Sequence, residues 1–182
     1  MGEASFQLKQ SFPAGLGRVW TALGRRHYVE SKYLALGSTD LRILEFDVSE
    51  HVINVVVERC VRTVGNAVSA WARPFFSGAH VLHHHTRWTR VDERSAGVEL
   101  EIWPVRAPVR VHGDGAVVEL SARSTQMKLD MTVQCGVPAF GTQVAQLFAV
   151  QMKQALGHDH RFTLSYLGMP TRSRLQEATI DN

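Results

Sequence analysis

A chain of 182 residues that is 45% apolar and 20% charged has enough apolar surface for one folded core and too much for wholesale disorder or a collagen-like repeat. Its 20 Lys and Arg against 17 Asp and Glu leave a net charge of +3, scattered without a basic run. With no zinc-finger, helix-turn-helix or RNP-like pattern either, no nucleic-acid partner is expected.

In chain order, Phe6, Leu8, Gln10 and Phe12 alternate with polar residues up to Pro13, the period of a half-buried strand. Leu16, Val19, Trp20 and Leu23 then fall at helical intervals, with Pro13 near the first turn and Gly24 at the exit. Residues 27–36 predict a second short helix closed by Gly37. Residues 41–62 predict two strands joined at Ser49, Glu50 and His51 with hairpin spacing. Thr63 to Gly78 is expected as a long loop whose Trp71, Phe75 and Phe76 fold back over the core or form an apolar interaction patch. Strands are expected at residues 80–91, 97–103 and 116–123, with Gly113, Asp114 and Gly115 as a breaker between the last two. Met127, Leu129, Met131, Val133 and Cys135 alternate with polar residues, so the last strand has one buried face. From Pro138 to Leu167 an apolar stripe through Phe140, Val144, Leu147, Phe148, Met152, Ala155 and Tyr166 predicts a helix roughly 45 Å long, with Gly157 as a point of bending. Residues 169–182 are expected as a polar tail to a single domain over 1–168.

Two cysteines, Cys60 and Cys135, are too few for a disulfide framework and read as packing residues in a reducing compartment. There is no basic-then-apolar leader in MGEASFQLKQSF and no apolar run near the ~20 residues that span a bilayer. The expectation is a cytoplasmic protein with no integral membrane segment.

One strand, two short helices, about six antiparallel strands and one long terminal helix form a recognisable order. The opening Phe6 to Pro13 into GRVWTAL, the RWTRVD of Arg87 to Asp92, APVRVHGDGAVVEL, and the VPAFGTQVAQ of Val137 to Gln146 resemble the START-like superfamily, also called the SRPBCC or polyketide cyclase type. Within it they are most similar to the domain-of-unknown-function 2505 branch. The resemblance implies an α+β, helix-grip fold: a curved antiparallel sheet of six or seven strands wrapped around a long C-terminal helix. It further implies a cavity between sheet and helix that binds, sequesters or transports an apolar or amphipathic small molecule, lipid-like or polyketide-like. The alternative it carries is a cyclase or aromatase-type enzyme acting in that cavity. The expected wall is Leu82, His84, Trp88, Met127, Leu129, Met131, Phe148, Met152 and Ala155, and no cofactor is implied.

The chemistry-bearing residues are few. No G-x-S-x-G, P-loop, G-x-G-x-x-G or H-E-x-x-H motif occurs. Successive strand residues point to opposite faces, so the run His83-His84-His85 divides. His83 and His85 share an outer face with Arg87, and two imidazoles lack the third ligand that zinc requires, so no metal is expected. His84 faces inward with Leu82, Thr86 and Trp88, either as a satisfied core histidine or as the group that meets a ligand, and it is the one candidate for proton transfer. His158 and His160 lie about 200° apart on a helix and do not pair. Glu99 and Glu101 alternate with an apolar set and read as a solvated face. Arg59 shares a face with Ile53, Val55, Val57 and Val61, which puts it at a strand end or in a pocket where it can bind an anionic head group.

Overall fold

A computed structural model describes residues 1–63 and 78–168. Residues 64–77 and 169–182, with the expected loop, its patch at Trp71, Phe75 and Phe76, and the expected polar tail, lie outside the described residues. The elements are β1 (Gly2–Phe12), α1 (Leu16–Leu23), α2 (Arg26–Ala35), β2 (Thr39–Val48), β3 (Val52–Thr63), β4 (Gly78–Arg90), β5 (Ser95–Pro104), β6 (Val109–Ser121), β7 (Ser124–Cys135) and α3 (Gly141–Gly168). The strands form one antiparallel sheet in the order β1-β7-β6-β5-β4-β3-β2. Every strand except β1 therefore lies beside its neighbour in sequence, and β1 closes onto β7. No helix among the described residues is long and apolar enough to cross a membrane.

Alternation sets which face is covered. On β7, Met127, Leu129, Met131, Val133 and Cys135 are all buried, as are Ala96, Val98, Leu100 and Ile102 on β5. Glu99 and Glu101 lie on the opposite, exposed face. The β1–β7 register pairs Phe6 with Met131, Leu8 with Leu129 and Gln10 with Met127, so both strands present side chains to the same layer. Burying this set is the main favourable term in holding the sheet to its helices, at roughly 25 cal/mol per Å² of apolar surface.

The two short helices follow their stripes. Leu16, Val19, Trp20 and Ala22 are the buried face of α1. Its N-terminus has no side-chain cap of its own at Gly15. Instead the Glu119 carboxylate, from β6, accepts the Leu16 N–H at 2.7 Å, satisfying an orphan donor and placing negative charge at the positive end of the helix. α2 ends at Ala35 with Leu36 as its C-cap, and the Gly37 that follows has a φ of +75°, which suits glycine.

The expected breaker at Gly113 to Gly115 is corrected by the fold: these residues sit in the middle of β6, a strand that starts at Val109. Their glycines serve close packing of β6 on β7. A Cβ at Gly115 would overlap the Lys128 carbonyl oxygen, and one at Gly113 would overlap the Met131 sulfur. Gly115→Ala is expected to destabilise the fold by at least about 2 kcal/mol, because backbone rather than a flexible side chain has to move. Urea denaturation of the variant beside wild type measures it.

α3 runs unbroken through Gly157 for 28 residues. It packs against β1 and β7 and against α1 and α2, so it leans over one end of the sheet. Val144, Ala145, Leu156, Thr163, Tyr166 and Leu167 are buried by those contacts, whereas Phe148 and Met152 are only partly covered and Ala155 is exposed. Phe140, expected in the stripe, precedes the helix and is 51% exposed.

Candidate functional site

The lean of α3 leaves a space where the helix does not meet the inner face of β3, β4 and β5. A cavity of about 570 Å³ opens there, bounded by Arg59 and Val61 on β3, His80, Leu82 and His84 on β4, Ile102 and Pro104 on β5, Tyr33 of α2 and Leu36 just after it, and the stretch from Phe148 to Asp159 of α3. That volume is ordinary for a drug-sized ligand. The partly covered helix residues Phe148 and Met152, and the exposed Ala155, border it, which accounts for their departure from the buried stripe.

Of the expected wall, Leu82, His84, Phe148, Met152 and Ala155 border this cavity. Trp88, Met127 and Leu129 border a separate hollow of about 70 Å³ nearer α1, with His84 touching both spaces. Met131 is 1% exposed and packs under Gly113.

Strand alternation divides the three histidines as expected. His83 Nε2 donates to the Glu58 carboxylate at 3.0 Å, and His85 Nε2 donates to Asn54 Oδ1 at 2.8 Å, both on the outer face. His84 is 4% exposed, with Nδ1 2.9 Å from the Tyr33 hydroxyl. Burial, then the positive charges of Lys32 and Arg59, hold His84 well below the usual histidine range, so the ring is neutral at physiological pH. Burial pushes the Tyr33 phenol up. With the Lys32 ammonium beside it, the phenol is assigned as donor to Nδ1, which leaves the single imidazole proton on Nε2. Nε2 makes no hydrogen bond within the described residues.

Residues that the sequence did not single out complete the site. Lys32 Nζ meets Asp159 Oδ2 at 3.2 Å, with side chains 12% and 21% exposed, and lies 4.7 Å from the centre of the Tyr33 ring. Burial alone would depress the Lys32 ammonium, but Asp159 and the neighbouring phenols hold it above the ordinary lysine value. Tyr28 is joined to Thr163 at 2.7 Å, and Thr163 donates to the Asp159 carbonyl at 3.0 Å, so α2 and α3 are clasped by one polar chain. Arg59 is 8% exposed, which places it on the cavity wall and not at a strand end. Its guanidinium lies 4.9 Å from the centre of the Tyr33 ring, and burial lowers its pKa from the ordinary arginine value. His158 borders the cavity, whereas His160 meets the Ser11 carbonyl at 2.9 Å and packs edge-on against Phe12. Among the described residues no group of three or more His, Cys, Asp or Glu is placed to hold a metal ion.

Comparison with known proteins gives the fold its relatives. The Zhui aromatase/cyclase from Streptomyces sp. R1128 superposes with a TM-score of 0.61 at 12% identity, covering 91% of this chain and 93% of its own. A protein from Thermus thermophilus gives 0.57 at 13% identity, covering 90% and 99%. Norcoclaurine synthase from Thalictrum flavum, in complex with dopamine and hydroxybenzaldehyde, gives 0.52 at 14% identity, covering 93% and 90%. No curated protein matches the sequence. The seven-stranded sheet gripping one long helix is the fold these solved structures share, and since the family model described as "Protein of unknown function (DUF2505)" matches residues 7–167, the chain belongs to that family.

Proposed function

We propose that this protein binds, sequesters or carries an apolar or amphipathic small molecule, lipid-like or polyketide-like, in the space between the sheet and α3, using residues 1–168 as one binding unit in the cytoplasm. The observation that carries the reading is the 570 Å³ cavity, mostly apolar yet bordered by a few buried polar groups, the composition expected of a small-molecule site. Norcoclaurine synthase holding dopamine and hydroxybenzaldehyde in the same fold supports it. The free thiols of Cys60 and Cys135 accord with a reducing compartment. Catalysis of the cyclase type is the second reading, and the Tyr33–His84 contact favours it: a neutral imidazole hydrogen-bonded to a phenol at a cavity wall can pass a proton.

Nile red, an uncharged apolar dye, tests the reading. It is expected to bind one molecule per chain with enhanced fluorescence. Ala155→Trp, which places an indole into the cavity from an exposed helix position, is expected to weaken binding at least about tenfold, since it removes space without removing a core contact. Dye binding that is undiminished in the variant while its thermal melting is unchanged would place the dye elsewhere and reject the cavity as the site.

A further inference from the structure

The cavity wall carries a charge that has no ion-pair partner among the described residues. Arg59 Nη1 donates to Ser38 Oγ at 3.0 Å, but Nε is buried with no hydrogen-bond partner. Among the described residues Asp159 is the one carboxylate on the wall and is engaged by Lys32, and no carboxylate forms an ion pair with Arg59. Asp159 acts on Arg59 only at longer range, and a guanidinium more than nine-tenths buried without an ion-pair partner among the described residues is costly at the place where a ligand would lie.

The strand register fixes what surrounds it. Arg59 lies opposite Leu82, with Val57 opposite His84 and Val61 opposite His80, so an imidazole stands at each diagonal position, within reach across an antiparallel pair. His80 Nε2 is also buried without a partner, and His84 keeps its own Nε2 unbonded. Three nitrogen-bearing side chains thus converge along one strand pair, facing Phe148 and Met152 across the cavity.

We propose that the cavity selects amphipathic acids, a ligand carboxylate pairing with Arg59 between His80 and His84 while the apolar body lies against Phe148 and Met152. The inference rests on the ligand-binding reading above and names its ligand class. A carboxylate fits better than a phosphate. One guanidinium fork matches one planar monoanion, whereas a phosphate monoester carries close to two charges, and Lys32, the other cation acting on His84, is held by Asp159.

Dodecanoate and 1-dodecanol, which share a chain and differ in the head group, provide the test by titration calorimetry and by displacement of Nile red. Wild type is expected to bind dodecanoate at least about tenfold more tightly than dodecanol, the scale of a hydrogen bond to a charged group. Arg59→Gln is expected to erase that preference by bringing dodecanoate affinity down to that of dodecanol in the same variant, and Arg59→Lys to keep part of the preference. Equal affinities in wild type, with Nile red still bound, overturn the acid preference and leave the cavity reading standing. Binding of neither probe nor dye overturns both. A preference that survives in Arg59→Gln also overturns the proposal, and should that variant fail to fold, the wild-type and Arg59→Lys preferences decide it.

Discussion

Asp159→Ala is expected to destabilise the protein by about 3 kcal/mol, the scale for removing one partner of a buried pair. The carboxylate has two tasks. It pairs with Lys32, whose side chain is 12% exposed and wedged against the Tyr28 and Tyr33 rings, and it sits beside the Thr163 hydroxyl at the end of the Tyr28–Thr163 contact. Without it an ammonium is left buried among aromatic rings, and the clasp between α2 and α3 loses its only ion pair among the described residues. Because Asp159 raises the Lys32 pKa above the ordinary value of 10.5, the contribution is fully present below that pH and is lost only as pH rises through the folded-state value, so the loss is readable at neutral pH. Urea denaturation of Asp159→Ala, Lys32→Met and the double variant separates the pair from its parts. The double variant is expected to be more stable than Asp159→Ala alone, since a buried pair replaced by apolar groups is often near neutral. Additive losses would mean that the two residues act independently and that no buried pair holds the helices together.

The sequence was most informative where one residue period met one kind of neighbour. β7 and β5 alternate without error because their inner face is packed throughout and their outer face is wet, and α1 shows its stripe because it has a single contact face. The reading failed where two physical situations share one pattern. Gly113 and Gly115 are written like a turn, yet they serve a close approach of strands, a distinction that depends on the partner strand and not on the local chain. The stripe of α3 marks an apolar face, but a face against the sheet and a face over a void carry the same period, so Val144, which is buried, and Ala155, which is exposed, read alike until the tilt of the helix is known. His80 was legible in part: it shares its parity with Leu82 and His84, and that parity puts it on the inner face. Lys32 and Asp159 gave no signal, being ordinary charged residues on two distant helices that only the tertiary fold brings together. Arg59 stood out because a charge interrupts an otherwise aliphatic strand face, and the structure puts it on the cavity wall.

His84 makes stability depend on pH in a defined direction. Its folded-state pKa lies well below the ordinary 6.5, through burial first and then through Lys32 and Arg59, so at mildly acidic pH the unfolded chain takes up a proton that the folded chain refuses. Folding is therefore favoured above the unfolded-state value, and this contribution is lost as pH falls from about 6.5 toward the folded-state value, at about 1.4 kcal/mol per pH unit. His84→Gln keeps an acceptor for the Tyr33 hydroxyl but cannot titrate. Whatever its absolute stability, its curve of unfolding free energy against pH is expected to run shallower than wild type below pH 6.5 by about that slope, and parallel to wild type above about pH 7.5. Carboxylates that protonate in the same acid range act equally on both proteins and cancel in the difference. Identical slopes in the two proteins would mean that His84 accepts its proton in the folded state, and that the imidazole at the cavity wall is a cation beside Arg59. A neutral ring, by contrast, lets the Tyr33 hydroxyl fix Nδ1 as the acceptor and keeps the hydrogen on Nε2, so the acid limb of the stability curve reports the protonation state that the proposed ligand contact requires.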